Sequence, residues 1–117
     1  MRPPGWPERV GDPDGEEFSA TAATWLWEVS SLERSPDDVW ARYPRSLAFR
    51  VACDVDSRLE GARVAYSHAR AALHDASVPV DEVLSALERE GAALQRLQRE
   101  VGLVHEALGG RRWGARL

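Results

Sequence analysis

The stretch SVPVDEV, residues 77–83, decides how the chain folds. Pro79 has no amide hydrogen and cannot continue a helix, while Asp81 and Glu82 suit the positive end of a new one. Before this stretch, Leu47, Val51, Val55, Leu59, Ala62, Tyr66, Ala69, Leu73 and Ala76 recur at helical steps. After it, Val83, Leu84, Leu87, Leu94, Leu97, Val101, Val104 and Leu108 do the same, until Gly109 and Gly110 stop the pattern. A short turn between two long amphipathic helices makes them antiparallel neighbours. The expected fold class is therefore all-α: a long antiparallel helical hairpin, a shorter N-terminal helix packed against it, and an irregular Pro-rich N-terminal arm.

Working outward, the helices are expected at about 16–34, 36–43, 45–76 and 80–108, forming a single domain over 16–110. Residues 1–15 carry Pro3, Pro4, Pro7 and Pro13 with three glycines, which excludes regular helix and predicts an arm anchored by Trp6. Asp14 and Glu17 stand at capping-box spacing before the first helix. Ser35, Pro36, Asp37 and Asp38 form a strong helix-start signal, and Pro44 bounds the short helix that follows. Trp40 and Tyr43 would share a face and close one end of the core. Counting outward from residue 78, Gly91 faces Ala65, Gly61 faces Gln95 and His105 approaches residue 51. Both mid-helix glycines are then expected to be packing residues, letting the axes approach beside Ala62, Ala65, Ala69 and Ala72.

The stretch ATWLWEV, residues 23–29, holds two of the five tryptophans. Phe18, Ala22, Trp25, Val29 and Leu32 make one helical stripe, so Trp25 belongs to the core. Trp27 is rotated by roughly 200° and is expected on the far side with Ala20, Ala23, Ser30 and Ser31. A hairpin of about thirty residues per helix spans roughly 45 Å, longer than a compact globule of this size. A short helix cannot cover it, so part of the stripe is either wet or covered by a second chain.

The 117 residues suffice for a core without staples, and 44% hydrophobic with 29% charged residues is an ordinary soluble composition. No apolar run approaches a membrane span, no export signal is apparent, and Cys53 has no partner for an internal disulfide, so the expected location is cytoplasmic. The fifteen basic residues are all Arg. Residues 1–40 carry a net −6 and residues 41–117 a net +2, which argues against non-specific nucleic-acid binding.

No nucleophile elbow, phosphate loop or Glu-x-x-His pair is present, so the expectation is no enzyme, no cofactor and no metal. Cys53, Asp56 and Glu60 share a helix face near Asp54, which is better read as a solvated acidic face than as a ligand set. His74 and Asp75 are sequence neighbours, and on a helix they would diverge by about 100°. An aromatic pocket of Trp25, Trp40, Tyr43 and Tyr66 is a further reading, secondary to their being core.

The leading functional expectation is a protein-interaction module, a homodimeric helical scaffold or regulatory adaptor. Its candidate interface residues are Trp27, Trp6, Arg111, Arg112 and Trp113, with Trp27 as the hot spot. The alternative is a small nucleic-acid-binding regulatory protein using Arg111, Arg112, Trp113 and Arg116 of the tail (residues 111–117), helped by Arg63, Arg70, Arg89, Arg96 and Arg99. Against it, Glu88, Glu90 and Glu100 are interleaved with those arginines, and the tail can instead dock on the acidic N-terminal region. The strings PPGWP, TAATWL, RYPRSLAFR, EREGAAL and EALGGRRW resemble a group of small helical proteins of GC-rich bacteria. The resemblance spans nearly the whole chain and implies no activity or site residue.

Overall fold

A computed structural model of the protein describes residues 1–34 and 39–114. Ser35, Pro36, Asp37 and Asp38, which carry the expected helix-start signal, and Arg116 of the tail lie outside the described residues. The regular secondary structure of the described residues is all helical, with no strand among them. Helix α1 is Phe18–Val29, α2 is Val39–Arg42, α3 is Pro44–Leu73 and α4 is Val80–Leu108.

The two long helices pack together along their length. Tyr66 donates to Glu88 at 3.0 Å, Gln98 to Asp56 at 2.8 Å, and the Phe49 and His105 rings lie 6.5 Å apart. His105 therefore lies beside Phe49, two residues from the expected position. The register also leaves the glycines without a packing role. A Cβ built on Gly61 or Gly91 would meet nothing within 4 Å. Gly61 is exposed, so the expected close approach of the axes at these positions is not formed.

Helix α3 starts on Pro44 because proline fits the first helical position and forces Tyr43 into an extended conformation, φ −126° and ψ 102°. It ends at Leu73, three residues before the last alanine of its stripe, and Ala76 donates to Leu73 O at 3.0 Å in the turn. Helix α4 carries Asp81 and Glu82 in its first turn. At its other end Arg111 N bonds Glu106 O at 3.0 Å and Gly110 N bonds Ala107 O at 3.0 Å. This is a Schellman cap, which needs a left-handed residue at Gly110, φ 106°. The cap turns the chain back on itself.

Helix α1 is shorter than its sequence pattern at both ends. The Asp14–Glu17 capping box is not made: Glu17 is the N-cap without a side-chain bond, and Asp14 N bonds Asp12 Oδ1 at 2.9 Å in a local turn. At the far end Ser30 is extended, φ −81° and ψ 159°. Asp54, only 8% exposed, accepts from Ser31 N at 3.0 Å and from the Ser31 hydroxyl. Arg58, one turn on, sits 3.7 Å from the same carboxylate and donates to Val29 O at 2.9 Å. A carboxylate and a guanidinium on α3 thus satisfy the backbone groups that the end of α1 leaves free.

The main core cluster joins Phe18, Ala22, Trp25 and Leu26 of α1 to Leu47, Ala48, Val51 and Val55 of α3, Val101, Val104 and Ala107 of α4, and Val10 before α1. Leu59, Ala62 and Leu94 form a separate small cluster farther along the pair. The radius of gyration, 17.4 Å, exceeds the roughly 13 Å of a compact domain of this length, and the extents are 55 × 43 × 17 Å.

Gly61→Ala and Gly91→Ala should each raise unfolding free energy by about 0.5–1 kcal/mol in urea titrations, since helix propensity rises and no neighbour is displaced. Loss of stability in either would restore the close-packing role. Asp54→Ala should cost about 2–3 kcal/mol in the same assay, because Ser31 loses its acceptor and Arg58 its counter-charge. An unchanged midpoint would mean the joint between α1 and α3 contributes nothing.

Candidate interaction surfaces

The residues singled out by sequence gather at one end of the helix pair, but most are occupied by the protein's own contacts. Residues 1–17 contain no helix or strand, yet Pro3, Pro7, Val10 and Pro13 are buried. The segment is held by turns: Trp6 N bonds Pro3 O at 3.1 Å and Val10 N bonds Pro7 O at 3.2 Å. The Thr21 hydroxyl accepts from Gly11 N at 2.8 Å while donating to Glu17 O at 2.8 Å, tying the segment to α1.

Trp6 donates its ring N–H to Val10 O at 3.0 Å. Its ring centroid lies 5.7 Å from Phe18 and 5.9 Å from Trp113, the latter edge to face. The Schellman cap delivers Trp113 there. Arg111 pairs with Glu106 and stands 5.0 Å above the Trp113 ring. Arg112 donates to Ala107 O at 2.7 Å, lies 3.4 Å from Asp14 and places its guanidinium 5.6 Å from the Phe18 ring. Arg112 and Trp113 are thus folded onto acidic and aromatic groups of the N-terminal region.

Trp27 is half-buried and packs against the main cluster, as do Val29, Leu32 and Trp40, with the Arg34 guanidinium 5.8 Å from its ring centroid. It does not stand free on the far side of α1. Tyr43 is 58% exposed and so does not join Trp40 in closing the core. Tyr66 is also exposed, on the part of α3 beyond the main cluster, so Trp25, Trp40, Tyr43 and Tyr66 form no common pocket.

The acidic face around Cys53 is committed elsewhere: Asp54 to Ser31, Asp56 to Gln98, and Glu60 to Arg63 at 3.9 Å. Among the described residues no three His, Cys, Asp or Glu groups are placed to share a metal ion. His74 and Asp75 do meet, Nε2 to Oδ1 at 2.9 Å, contrary to their expected divergence. Helix α3 has ended at Leu73, so helical geometry no longer separates them; both are exposed on the turn. Of the other arginines, Arg63 pairs with Glu60 and Arg70 with Asp81 at 3.2 Å, whereas Arg96 and Arg99 border a cleft on α4.

Several concave surfaces remain open among the described residues, and two of them border the long helices with apolar and charged side chains together. A cleft of about 650 Å³ runs between the N-terminal segment and α4, bordered by Pro4, Gly5, Trp6 and Glu8 on one side and by Arg96, Arg99, Glu100, Gly102, Leu103 and Glu106 on the other. Burial raises the Glu100 carboxyl above its ordinary 4.5, and the neighbouring Arg96 and Arg99 only partly oppose this. The second is a groove of about 320 Å³ on the long pair, lined by Ala62, Arg63, Tyr66, Ser67, Leu87, Glu88 and Gly91. Sequence reasoning passed over Leu103 and Phe18 as site residues. Leu103 stands off the α4 stripe beside Gly102, and an apolar residue out of period signals a second neighbour.

Compared with known proteins, the chain matches no family model, no curated protein and no solved structure. No helix among the described residues is long and apolar enough to cross a membrane.

Because the folded-state pKa of Glu100 is raised, the folded protein holds its proton more tightly than the unfolded chain. Stability therefore falls as pH rises from about 4.5 through the folded-state value. Glu100→Gln should unfold at higher denaturant than wild type at pH 7, by under about 1 kcal/mol, with the gap closing near pH 4. A gap independent of pH would mean that desolvation of the carboxylate is not the cause.

Proposed function

We propose that the protein is an interaction module rather than an enzyme, acting in the cytoplasm as a homodimeric helical scaffold or adaptor. In this reading the long pair is an antiparallel hairpin with the N-terminal arm packed on one end, and the other end receives the second copy. The observation that carries the proposal is the pair's overhang. Beyond the main cluster, α3 and α4 bury Leu59, Ala62 and Leu94 as a small second cluster and Ala69 and Leu84 singly, while Val64, Tyr66 and Val78 are exposed. The groove between Tyr66 and Leu87 offers a partner helix an apolar floor with Arg63 and Glu88 at its rim.

This reading moves the interface from Trp27 to the overhang, since Trp27, Trp6 and Trp113 are engaged in intramolecular packing. It also weakens the nucleic-acid alternative. Arg111 and Arg112 face Glu106 and Asp14 instead of presenting free charge to phosphate, and Trp113 is packed against Trp6.

Light scattering at micromolar concentration should give twice the 13.0 kDa chain mass for the wild type. Ser67→Arg and Leu87→Arg should each shift the protein to monomer without loss of helical circular dichroism, weakening association by about 2 kcal/mol or more. A monomeric wild type, or a dimer indifferent to both substitutions, would overturn the proposed self-interface.

A further inference from the structure

The cleft between the N-terminal segment and α4 has a chemistry that self-association does not use. Its floor is one face of α4: Arg96, Arg99, Glu100 and Leu103 follow helical steps of three, one and three residues, so that side chains of both charges and an apolar one open onto the same space. Its wall is built by the turn at Gly5. With φ 84°, that glycine brings the backbone close to Leu103, to the point that an added Cβ would lie 3.7 Å from Leu103 Cδ1. Trp6 is fixed there by its bond to Val10 O, so the apolar wall is formed before any ligand arrives.

The volume, about 650 Å³, lies within the range of small-molecule sites. The charges narrow the ligand. Among the described residues, neither Arg96 nor Arg99 makes an ion pair, and neither do Glu8 or Glu100, whereas Glu106 at the far end is taken by Arg111. A polyanion such as a nucleotide would meet Glu8 and Glu100. A polyamine would meet both guanidiniums. A ligand with a single charge would displace water from the opposite pair without replacing it, which costs free energy.

We propose that this cleft binds a small amphipathic zwitterion, an apolar or aromatic body bearing one carboxylate and one ammonium, with an aromatic α-amino acid as the simplest member. The body lies against Trp6 and Leu103, the carboxylate takes the guanidinium forks of Arg96 and Arg99, and the ammonium takes Glu100 with Glu8 beside it. The site is on a different part of α4 from the groove at Leu87, so it stands or falls independently of the dimer.

The test is titration of L-phenylalanine into the full ¹⁵N-labelled chain, with phenethylamine and 3-phenylpropionate as single-charge probes. Saturable amide shifts should centre on Gly102 and Leu103, and both single-charge probes should bind at least about tenfold more weakly. Glu100→Gln and the double substitution Arg96→Gln/Arg99→Gln should each weaken L-phenylalanine by about tenfold while the rest of the spectrum stays folded. No saturable shift up to about 10 mM overturns the proposal. So does equal affinity for a single-charge probe, or full affinity in either variant.

Discussion

Helix length sets the terms for everything else in this protein. At about 1.5 Å per residue, the 30 residues of α3 and 29 of α4 run more than twice the length of the 12-residue α1. A third helix that short closes a three-helix core over only part of the pair. Where α1 lies, Val51, Val55, Val101 and Val104 are wholly buried; farther out, burial falls to what two helices provide each other. Two helices alone enclose little volume, which is why Leu59, Ala62 and Leu94 form a cluster of three. The overhang is a consequence of where α1 stops.

That stop is electrostatic. Nothing in the apolar pattern of α1 ends it at Val29, since Leu32 continues the stripe. The chain leaves the helix where Asp54 takes both the amide and the hydroxyl of Ser31, and Arg58 takes the Val29 carbonyl. A buried carboxylate tolerates its desolvation only with such donors, so the joint is directional as well as favourable. It fixes α1 against the first half of α3, and the residues before α1 then close over α4 at the same end.

The difference between legible and illegible parts of the chain follows from the range of the interactions. The ends of α4 can be read locally, because Pro79 and the Gly109–Gly110 pair are backbone constraints carried by the residues themselves. The all-helical composition of the fold is equally visible in the stripes. The end of α1 is not, because its decisive acceptor lies 23 residues away. The half-burial of Trp27 against the main cluster is illegible for a related reason. A helical period identifies one buried face, whereas α1 contacts α3 and α4 and is tied by Thr21 to the N-terminal segment. Gly61 and Gly91 show the converse: a plausible local rationale for each, and open space around both. Of the candidate site, the tail's return to acidic Asp14 was readable from charge, but the cleft at Glu100 was not, since it is made by a turn whose position depends on Gly5 and Trp6.

The tryptophans are distributed with the same asymmetry. All five, Trp6, Trp25, Trp27, Trp40 and Trp113, lie in the main cluster or pack against it, and none is found on the overhang. A Trp side chain buries far more apolar area than the alanines that follow one another along α3, so stabilising contact is concentrated at one end. The other end buries fewer and smaller side chains, Leu59, Ala62, Ala69, Leu84 and Leu94, and a segment with few buried apolar contacts opens locally at lower cost. Its charged side chains keep it hydrated while alone. A second helix laid into the groove at Tyr66 and Leu87 would supply the apolar area that α1 is too short to give, and the free energy gained would go to ordering this end as well as to association. In the proposed dimer, binding and rigidity of the overhang would be two aspects of one burial, while the Trp-rich end carries the cleft.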